Sequence, residues 1–370
     1  MRFPPLNVCA LRRCDGTPPM HSETPVMTMK SWLSVRGLRA GLLQFGFGVL
    51  LIIGLTGVLR WTRPGPVLPP GWAIIRPPHE VSALAVQGDL VWAGGRDGLV
   101  AINRKSAKVL PALTGQPRLR QVRDLLVDCQ GRLWIAHSGG LGCYADGVWQ
   151  TYLETMGFLP GPATAVWEDH AGALWIGYER GVMCYDGRSP RVFTSRDGLG
   201  LSDVDVIFQD RDGVMWFGSS SPTQGGLTSF DGRTWRSYSI QDGLVHTSIN
   251  QVLQDRQGTL WFATGFASRG AASRLVNGRW TTWTRRDGLA GEKVRSLFED
   301  REGRLWFGSE YDGIAVYDGR GWKVLTPKEG LAGWEVKKMV QDPDGVYWLG
   351  TEDGVSRISQ LEMSLPAKEH

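Results

Sequence analysis

Cysteine is scarce in this sequence. The five residues in 370, Cys9, Cys14, Cys129, Cys143 and Cys184, form no C-x-x-C pair and no metal-ligand spacing. That pattern excludes a zinc-binding module, and with only three cysteines beyond residue 38 a dense disulfide framework is excluded too. An excess of charge of one sign is also lacking. The net charge is +4, and basic residues are spread along the chain rather than run together, which argues against a nucleic-acid partner. No low-complexity tract, histidine-kinase phosphoacceptor or nucleotide-binding segment occurs. The sequence therefore predicts no cofactor and no phosphotransfer of its own.

What the chain has in excess is glycine, 49 residues, and tryptophan, 17 residues. Glycine is close to twice its usual share, roughly 13% against roughly 7%. Many turns with aromatic packing point to an all-β protein rich in hairpins. One phrase recurs: DRDGVMWFGSS at 210–220, DRQGTLWFATG at 255–265, DREGRLWFGSE at 300–310 and DPDGVYWLGTE at 342–352. Its alignment gives one tryptophan per unit: Trp92, Trp134, Trp175, Trp216, Trp261, Trp306 and Trp348, at steps of 42, 41, 41, 45, 45 and 42 residues. A period near forty with four short strands per unit marks a β-propeller blade. The predicted fold is an all-β, seven-bladed β-propeller with four-stranded blades, occupying residues 71–361 as one domain.

Each unit reads strand by strand. An apolar inner strand such as VRSLFED (294–300) leads into a D-x-x-G loop, at Asp169 to Gly172, Asp210 to Gly213, Asp255 to Gly258 and Asp300 to Gly303. Glycine supplies the left-handed residue that a short hairpin loop needs. With Asp210 and Asp212 as its only carboxylates, the loop reads as a turn rather than a calcium site. The tryptophan strand and a third strand follow. The third strand ends in Asp-Gly or Asn-Gly at 186–187, 231–232, 277–278 and 318–319, pairs predicted to make two-residue hairpin turns. Trp149, Trp235, Trp280 and Trp322 open the outer strands. The seventh unit has no outer strand after GVSRISQ (354–360), but GWAIIRP at 71–77 resembles GWKVLTP at 321–327. The N-terminal segment is therefore predicted to close the ring as that missing strand. Cys143 and Cys184 fall at matching repeat positions beside Tyr144 and Tyr185. They read as packed thiols, with a bridge as the alternative.

Ahead of the repeats, residues 40–59 (AGLLQFGFGVLLIIGLTGVL) carry no charge and are long enough to cross a bilayer as a helix. Lys30, Arg36 and Arg39 precede them, with Arg2, Arg12 and Arg13 further back, whereas Arg60 and Arg63 follow. The positive-inside tendency then predicts a cytoplasmic basic tail (1–39, with Met27 or Met29 as alternative starts) and a single transmembrane anchor (40–60). A proline-rich stalk (61–70), the exported propeller and a short C-terminal tail (362–370) would follow. A cleaved signal peptide is the alternative.

The repeat resembles that of the two-component regulator propeller family, the sensing domain of many bacterial hybrid sensor kinases. The resemblance rests on the D-x-x-G-x-x-W-x-G phrases above and on the linking RDGLG (196–200), QDGLV (241–245), RDGLA (286–290) and KEGLA (328–332). It implies an external ligand, often a carbohydrate, and a signal passed through the membrane. Family members usually continue into an immunoglobulin-like domain, a membrane helix and an output domain, whereas this sequence ends after the seventh unit with its apolar segment in front. A separate signalling partner is the expectation, with the chain single-pass in the bacterial inner membrane and the propeller in the periplasm or outside the cell.

Matched inner-strand positions locate a candidate site. Val81, Val122, Ala163, Val204, Ile249, Val294 and Val336 form an apolar row. The next row is polar throughout: Ser82, Arg123, Thr164, Asp205, Asn250, Arg295 and Lys337. In a propeller that row faces the mouth of the central channel. Plain solvation of a wet channel is one reading. The other is an anion- or sugar-contacting site in which Arg123, Arg295 and Lys337 donate and Asp205 and Asn250 accept. SSPTQGG (220–226) and GFASRGAA (265–272) are expected as wide loops on the same face, where Trp334 and His246 also lie. Trp334 either packs or stacks on a sugar ring. His79, His137, His170 and His246 fall at unrelated repeat positions, and Ser219, Ser220 and Ser221 lack a nucleophile-elbow context. The expectation is a binding protein for a small molecule or glycan, not an enzyme. A protein-interaction scaffold of the cell envelope is the alternative, and a propeller lyase or hydrolase is less favoured.

Overall fold

The repeated phrase folds the same way each time. In the computed structural model, which describes residues 67–362, the sixth unit is an antiparallel meander. Its inner strand is Val294–Glu299, its tryptophan strand Leu305–Ser309, its third strand Ile314–Tyr317 and its outer strand Trp322–Leu325. The tryptophan strand is buried along its whole length, because both of its faces are covered by neighbouring blades. Seven such sheets follow one another. The inner strand of blade 1, Val81–Gln87, packs beside those of blade 2, Asp124–Val127, and blade 7, Val336–Gln341, so the ring is closed.

Six sheets have four strands and the first has three, a departure from the uniform four expected. After Gly98–Asn103 the chain has no Asp-Gly turn and no tryptophan, and Pro111 and Pro117 withhold backbone donors. The edge is covered irregularly instead. Val109 bridges Ile102, and the Gln116 side-chain amide donates to the Leu99 carbonyl at 2.9 Å.

The aspartate of D-x-x-G does more than make a turn. Asp300 is buried, and its Oδ1 accepts the N–H groups of Glu302 and Arg304 at 3.1 and 2.8 Å. Its Oδ2 accepts the indole N–H of Trp306 at 2.8 Å. Asp128, Asp169, Asp210, Asp255 and Asp342 hold Trp134, Trp175, Trp216, Trp261 and Trp348 in the same way. In blade 1, Gln87 substitutes for the aspartate at Trp92. The preceding residue ties blade to blade. Gln341 accepts from Arg301 N–H, Glu299 from Arg256, Gln254 from Arg211, Gln209 from His170 and Glu168 from Cys129, all at 2.7–3.0 Å. At the closing joint between blades 7 and 1 that residue is Val86, and Arg104 takes over. Its guanidinium, largely buried, lies 2.5 Å from Asp344 and 3.5 Å from Asp89.

The predicted closure is present. Trp72–Ile75 pairs antiparallel with Gly354–Ile358 in the register Trp72↔Ile358 to Ile75↔Val355. The linking glycines explain the likeness of the two segments. Gly288, at φ +123°, would drive a Cβ to 2.4 Å from Trp322, and Gly330, at φ +115°, would drive one to 3.3 Å from Trp72. Both outer-strand tryptophans thus lie on a glycine of the turn that enters their own blade.

The turn prediction holds only in part. Asn277-Gly278 makes a two-residue hairpin, with Val276 opposite Arg279. The Asp-Gly pairs at 186, 231 and 318 open four-residue loops, with Tyr185↔Pro190, Phe230↔Trp235 and Tyr317↔Trp322 as the flanking pairs. There the aspartate oxygen accepts the N–H groups two and three residues on, which holds the wider loop. Cys143 and Cys184 are free thiols. Among the described residues no helix is long and apolar enough to cross a membrane. The anchor expected at 40–60, the tail at 1–39 and most of the stalk lie outside the described residues.

Candidate functional site

A β-bulge sits at the channel mouth of every blade. The register skips Ser82, Thr164, Asn250, Arg295 and Lys337, so that each shares one partner residue with its successor. In blades 2 and 4 the same two-against-one arrangement is made by Arg123 N–H bonding to Ala136 O and Asp205 N–H bonding to Gly218 O. A bulge re-aims the extra side chain, and here seven bulges re-aim the whole polar row predicted from sequence.

Much of that row is spent on structure. The Ser82 and Thr164 hydroxyls donate to the carbonyls of Val122 and Val204 in the next blade, at 2.7 and 2.5 Å. The Asn250 amide donates to Val294 O at 2.8 Å and Gly265 O at 3.2 Å. Asp205 accepts from Ser220 N–H and Oγ at 2.9 and 2.6 Å. Arg295 lies 3.1 Å from Glu335, and Lys337 lies 2.5 Å from Glu80 and 3.1 Å from Glu335. Arg123 is exposed and has no side-chain partner among the described residues.

Six of the eight predicted residues, Ser82, Arg123, Thr164, Asp205, Asn250 and Lys337, line one cavity of about 180 Å³. Arg295 and Trp334 are not part of its wall. The sequence reading missed one position of the row just below. Asp124 and Lys338 form an ion pair at 3.1 Å that links blades 2 and 7 past blade 1, and Asp124 also accepts from Val166 N–H. The signal was available, since the other matching residues, Ala83, Ala165, Val206, Gln251 and Ser296, carry no charge. The indole N–H of Trp167, at the same cavity, is buried without a partner.

On the rim, Trp334 lines a second depression of about 440 Å³ with Glu80, Glu310, Tyr311, Glu335 and Glu352. Glu352 positions the loop, accepting the backbone N–H groups of Trp334 and Glu335 at 2.7 and 2.9 Å. Burial works against the charge on Glu310, but Lys293 and the Tyr311 hydroxyl outweigh it and hold its carboxyl below the usual range. Trp334 is 41% exposed, Tyr311 60% and Phe266 47%. These are the exposed aromatic side chains of the described chain, and all three stand on this one face in blades 5 to 7, Trp334 and Tyr311 on loops and Phe266 at a strand end. The 265–272 segment is not the wide loop expected. Its strands Leu260–Phe266 and Arg269–Val276 run on to a tight turn, because Gly265 and Gly270 face each other too closely for side chains, and Phe266 is left at the tip. Among the histidines, His137 and His246 accept backbone N–H bonds from Gly139 and Ser248, and burial lowers the pKa of both.

The geometry defines a closed seven-bladed propeller with one polar, aromatic-rimmed face. Residues 198–221, 243–266 and 288–311 match the two component regulator propeller family, so this chain carries the repeat of that family in blades 4 to 6. The fold is similar to the extracellular domains described for a hybrid two component system, BT3049, and a one component system, BT4673, of B. thetaiotaomicron. The TM-scores are 0.68 and 0.64, with 21% and 17% identity over 79% and 78% of this chain. This chain spans only 41% and 40% of those longer proteins. It is also similar to virginiamycin B lyase from Staphylococcus aureus, at TM-score 0.60 and 14% identity over 78% of this chain and 99% of that one. At such identities the likeness is one of fold. No curated protein matches the sequence.

Proposed function

We propose that this chain is a membrane-anchored, extracytoplasmic propeller that senses a carbohydrate and passes the signal to a separate partner protein. Residues 40–60 form the anchor in the bacterial inner membrane, residues 1–39 stay in the cytoplasm, and the ring binds its ligand without turnover. The solved extracellular domains of similar fold support the location. One observation carries the ligand class. Of the exposed aromatic side chains of the described residues, Trp334 and Tyr311 line one depression with Glu80, Glu310, Glu335 and Glu352, and Phe266 stands on the same channel-mouth face with the Lys293 ammonium 5.6 Å from its ring. Exposed rings offer flat apolar platforms for the apolar faces of sugar rings, and carboxylates accept from sugar hydroxyls.

The test is a glycan array probed with the full chain in detergent, followed by calorimetry on the best binder. Trp334→Ala is expected to weaken binding about tenfold, the loss of one well-packed aromatic contact. Val324→Ala, on an exposed outer-strand position, is expected to leave binding unchanged. An array with no binder, or a Trp334→Ala chain with undiminished affinity, sinks the reading.

A further inference from the structure

The joint between blades 1 and 2 departs from the repeat. Four joints carry a capping carboxylate in the short turn that enters the next blade, namely Asp197, Asp242, Asp287 and Glu329, each accepting the backbone N–H of the residue three before it. At this joint the matching turn is Leu113–Gln116, where Gln116 stands in for the carboxylate and accepts Leu113 N–H at 3.0 Å, and the chain then reads PRLRQVR (117–123) into the inner strand. Leu119 is buried and pins the segment, while Arg118 and Arg120 on either side of it are exposed. The loop is held from both blades. Gln121 N–H bonds to Arg96 O at 3.1 Å and Val122 N–H to Gly95 O at 2.9 Å, and the Ser138 hydroxyl donates to Arg120 O at 2.9 Å. Gln121 sits at φ +48°, a left-handed conformation that is uncommon outside glycine and that persists where surrounding structure enforces it.

The result is a depression of about 540 Å³ walled by Arg96, Asp97, Arg118, Arg120, Gln121 and Ser138. Arg123 stands two residues on, at the channel cavity. Among the described residues none of these four guanidiniums lies within 4.0 Å of a carboxylate. Three cations of blades 6 and 7 on the same face behave differently: Lys293, Arg295 and Lys337 are each paired with a glutamate. Three arginines within six residues and Arg96 of the neighbouring loop are thus held on one pinned loop pair, none of them in an ion pair among the described residues. Arginine's planar fork matches oxyanions bidentately.

We propose that this depression is an oxyanion site, which holds a carboxylate, sulfate or phosphate group of the sensed ligand. Arg118 and Arg120 supply the principal forks, Arg96 and Arg123 flank them, and Asp97 accepts from a neighbouring hydroxyl. Resting on the carbohydrate reading above, the ligand is then an acidic saccharide, spanning from the arginines towards the aromatic rim.

Calorimetry on the full chain at constant ionic strength, with glucuronate, inorganic sulfate, inorganic phosphate and glucose as probes, tests this. At least one anion is expected to bind tenfold or more tightly than glucose. A response to glucuronate alone identifies a sugar acid, and an equal response to sulfate or phosphate identifies a site for the bare anion. Arg118→Ala with Arg120→Ala is expected to weaken anion binding about 100-fold, the loss of two charge-assisted hydrogen-bonding groups. The double lysine variant, which keeps the charge but not the fork, is expected to lose about tenfold. Anion affinity no better than glucose, or unchanged in the alanine chain, overturns the proposal and leaves a solvated basic face only. If the alanine chain fails to fold, the lysine variant decides, and undiminished affinity there overturns the fork. The two readings fail separately: Trp334→Ala tests the saccharide platform, and the arginine variants test the anion.

Discussion

Ring closure by Trp72–Ile75 can be tested with one side-chain truncation. Ile75 is 6% exposed and packs in the cluster of Val81, Val355 and Trp348, where blades 7 and 1 meet. Replacing a buried isoleucine with alanine costs about 2–5 kcal/mol through lost burial and the cavity left behind. For a chain of this size each kcal/mol shifts the midpoint by roughly 2 °C, so Ile75→Ala is expected to melt roughly 6 °C lower. The control is Val324→Ala in the matching outer strand of blade 6, where Val324 is 42% exposed and truncation costs less than about 0.5 kcal/mol. Deleting residues 71–77 goes further. It removes the four-residue pairing, the Trp72 N–H bond to Gln360 O at 3.0 Å and the Arg76–Asp353 pair at 2.6 Å, and it leaves the edge of blade 7 unpaired. Scanning calorimetry of the full-length chains reads all three. If Ile75→Ala melts no lower than Val324→Ala, or the deletion leaves the midpoint in place, the strand does not close the ring energetically.

Two further outcomes follow from buried groups. Burial opposes the charge on Asp128, but the Trp134 indole and Arg132 outweigh it and hold its pKa below the ordinary value. A depressed carboxylate contributes stability that is full above the unfolded value, about 3.9, and lost as pH falls through the folded one. The wild-type urea midpoint should therefore fall more steeply below about pH 4 than that of Asp128→Asn, and parallel curves would refute the assignment. Cys143 and Cys184 have thiol pKa values pushed up to about 11 by burial, whereas Cys129 is exposed. Iodoacetamide mapping by mass spectrometry should label Cys129 in the native chain, and Cys143 and Cys184 only after unfolding; comparable native rates at the three would contradict this packing.

The blade count, the closing strand and the polar row were legible because each is written as a period. The tryptophan step reports a strand that must be buried on both faces, and GWAIIRP carries the same outer-strand tryptophan that packs on a turn glycine as GWKVLTP does. What escaped the reading was pairing across the repeat. Polarity at Ser82, Thr164 and Asn250 says only that a residue can hydrogen-bond. That each donates to a carbonyl of the next blade depends on a bulge, and bulges leave no mark in composition. The double use of the D-x-x-G aspartate was hidden for a related reason. One carboxylate satisfying a turn and an indole six residues on looks, in sequence, like a turn alone.

The division between repeated and unrepeated positions also bears on where ligand specificity lies. Every residue type that recurs is already committed to folding: the aspartate holds its tryptophan, the preceding glutamine or glutamate ties the previous blade, and the linking glycine seats the next tryptophan. A side chain whose hydrogen bonds are spent in this way has little left to offer a ligand. The groups without such duties, Arg96, Arg118, Arg120, Arg123, Phe266, Tyr311 and Trp334, stand at positions whose residue type changes from blade to blade, and all belong to the channel-mouth face. Substitution at these seven positions should therefore alter what the ring binds with little effect on how stably it closes, whereas substitution of a repeated aspartate should do the reverse.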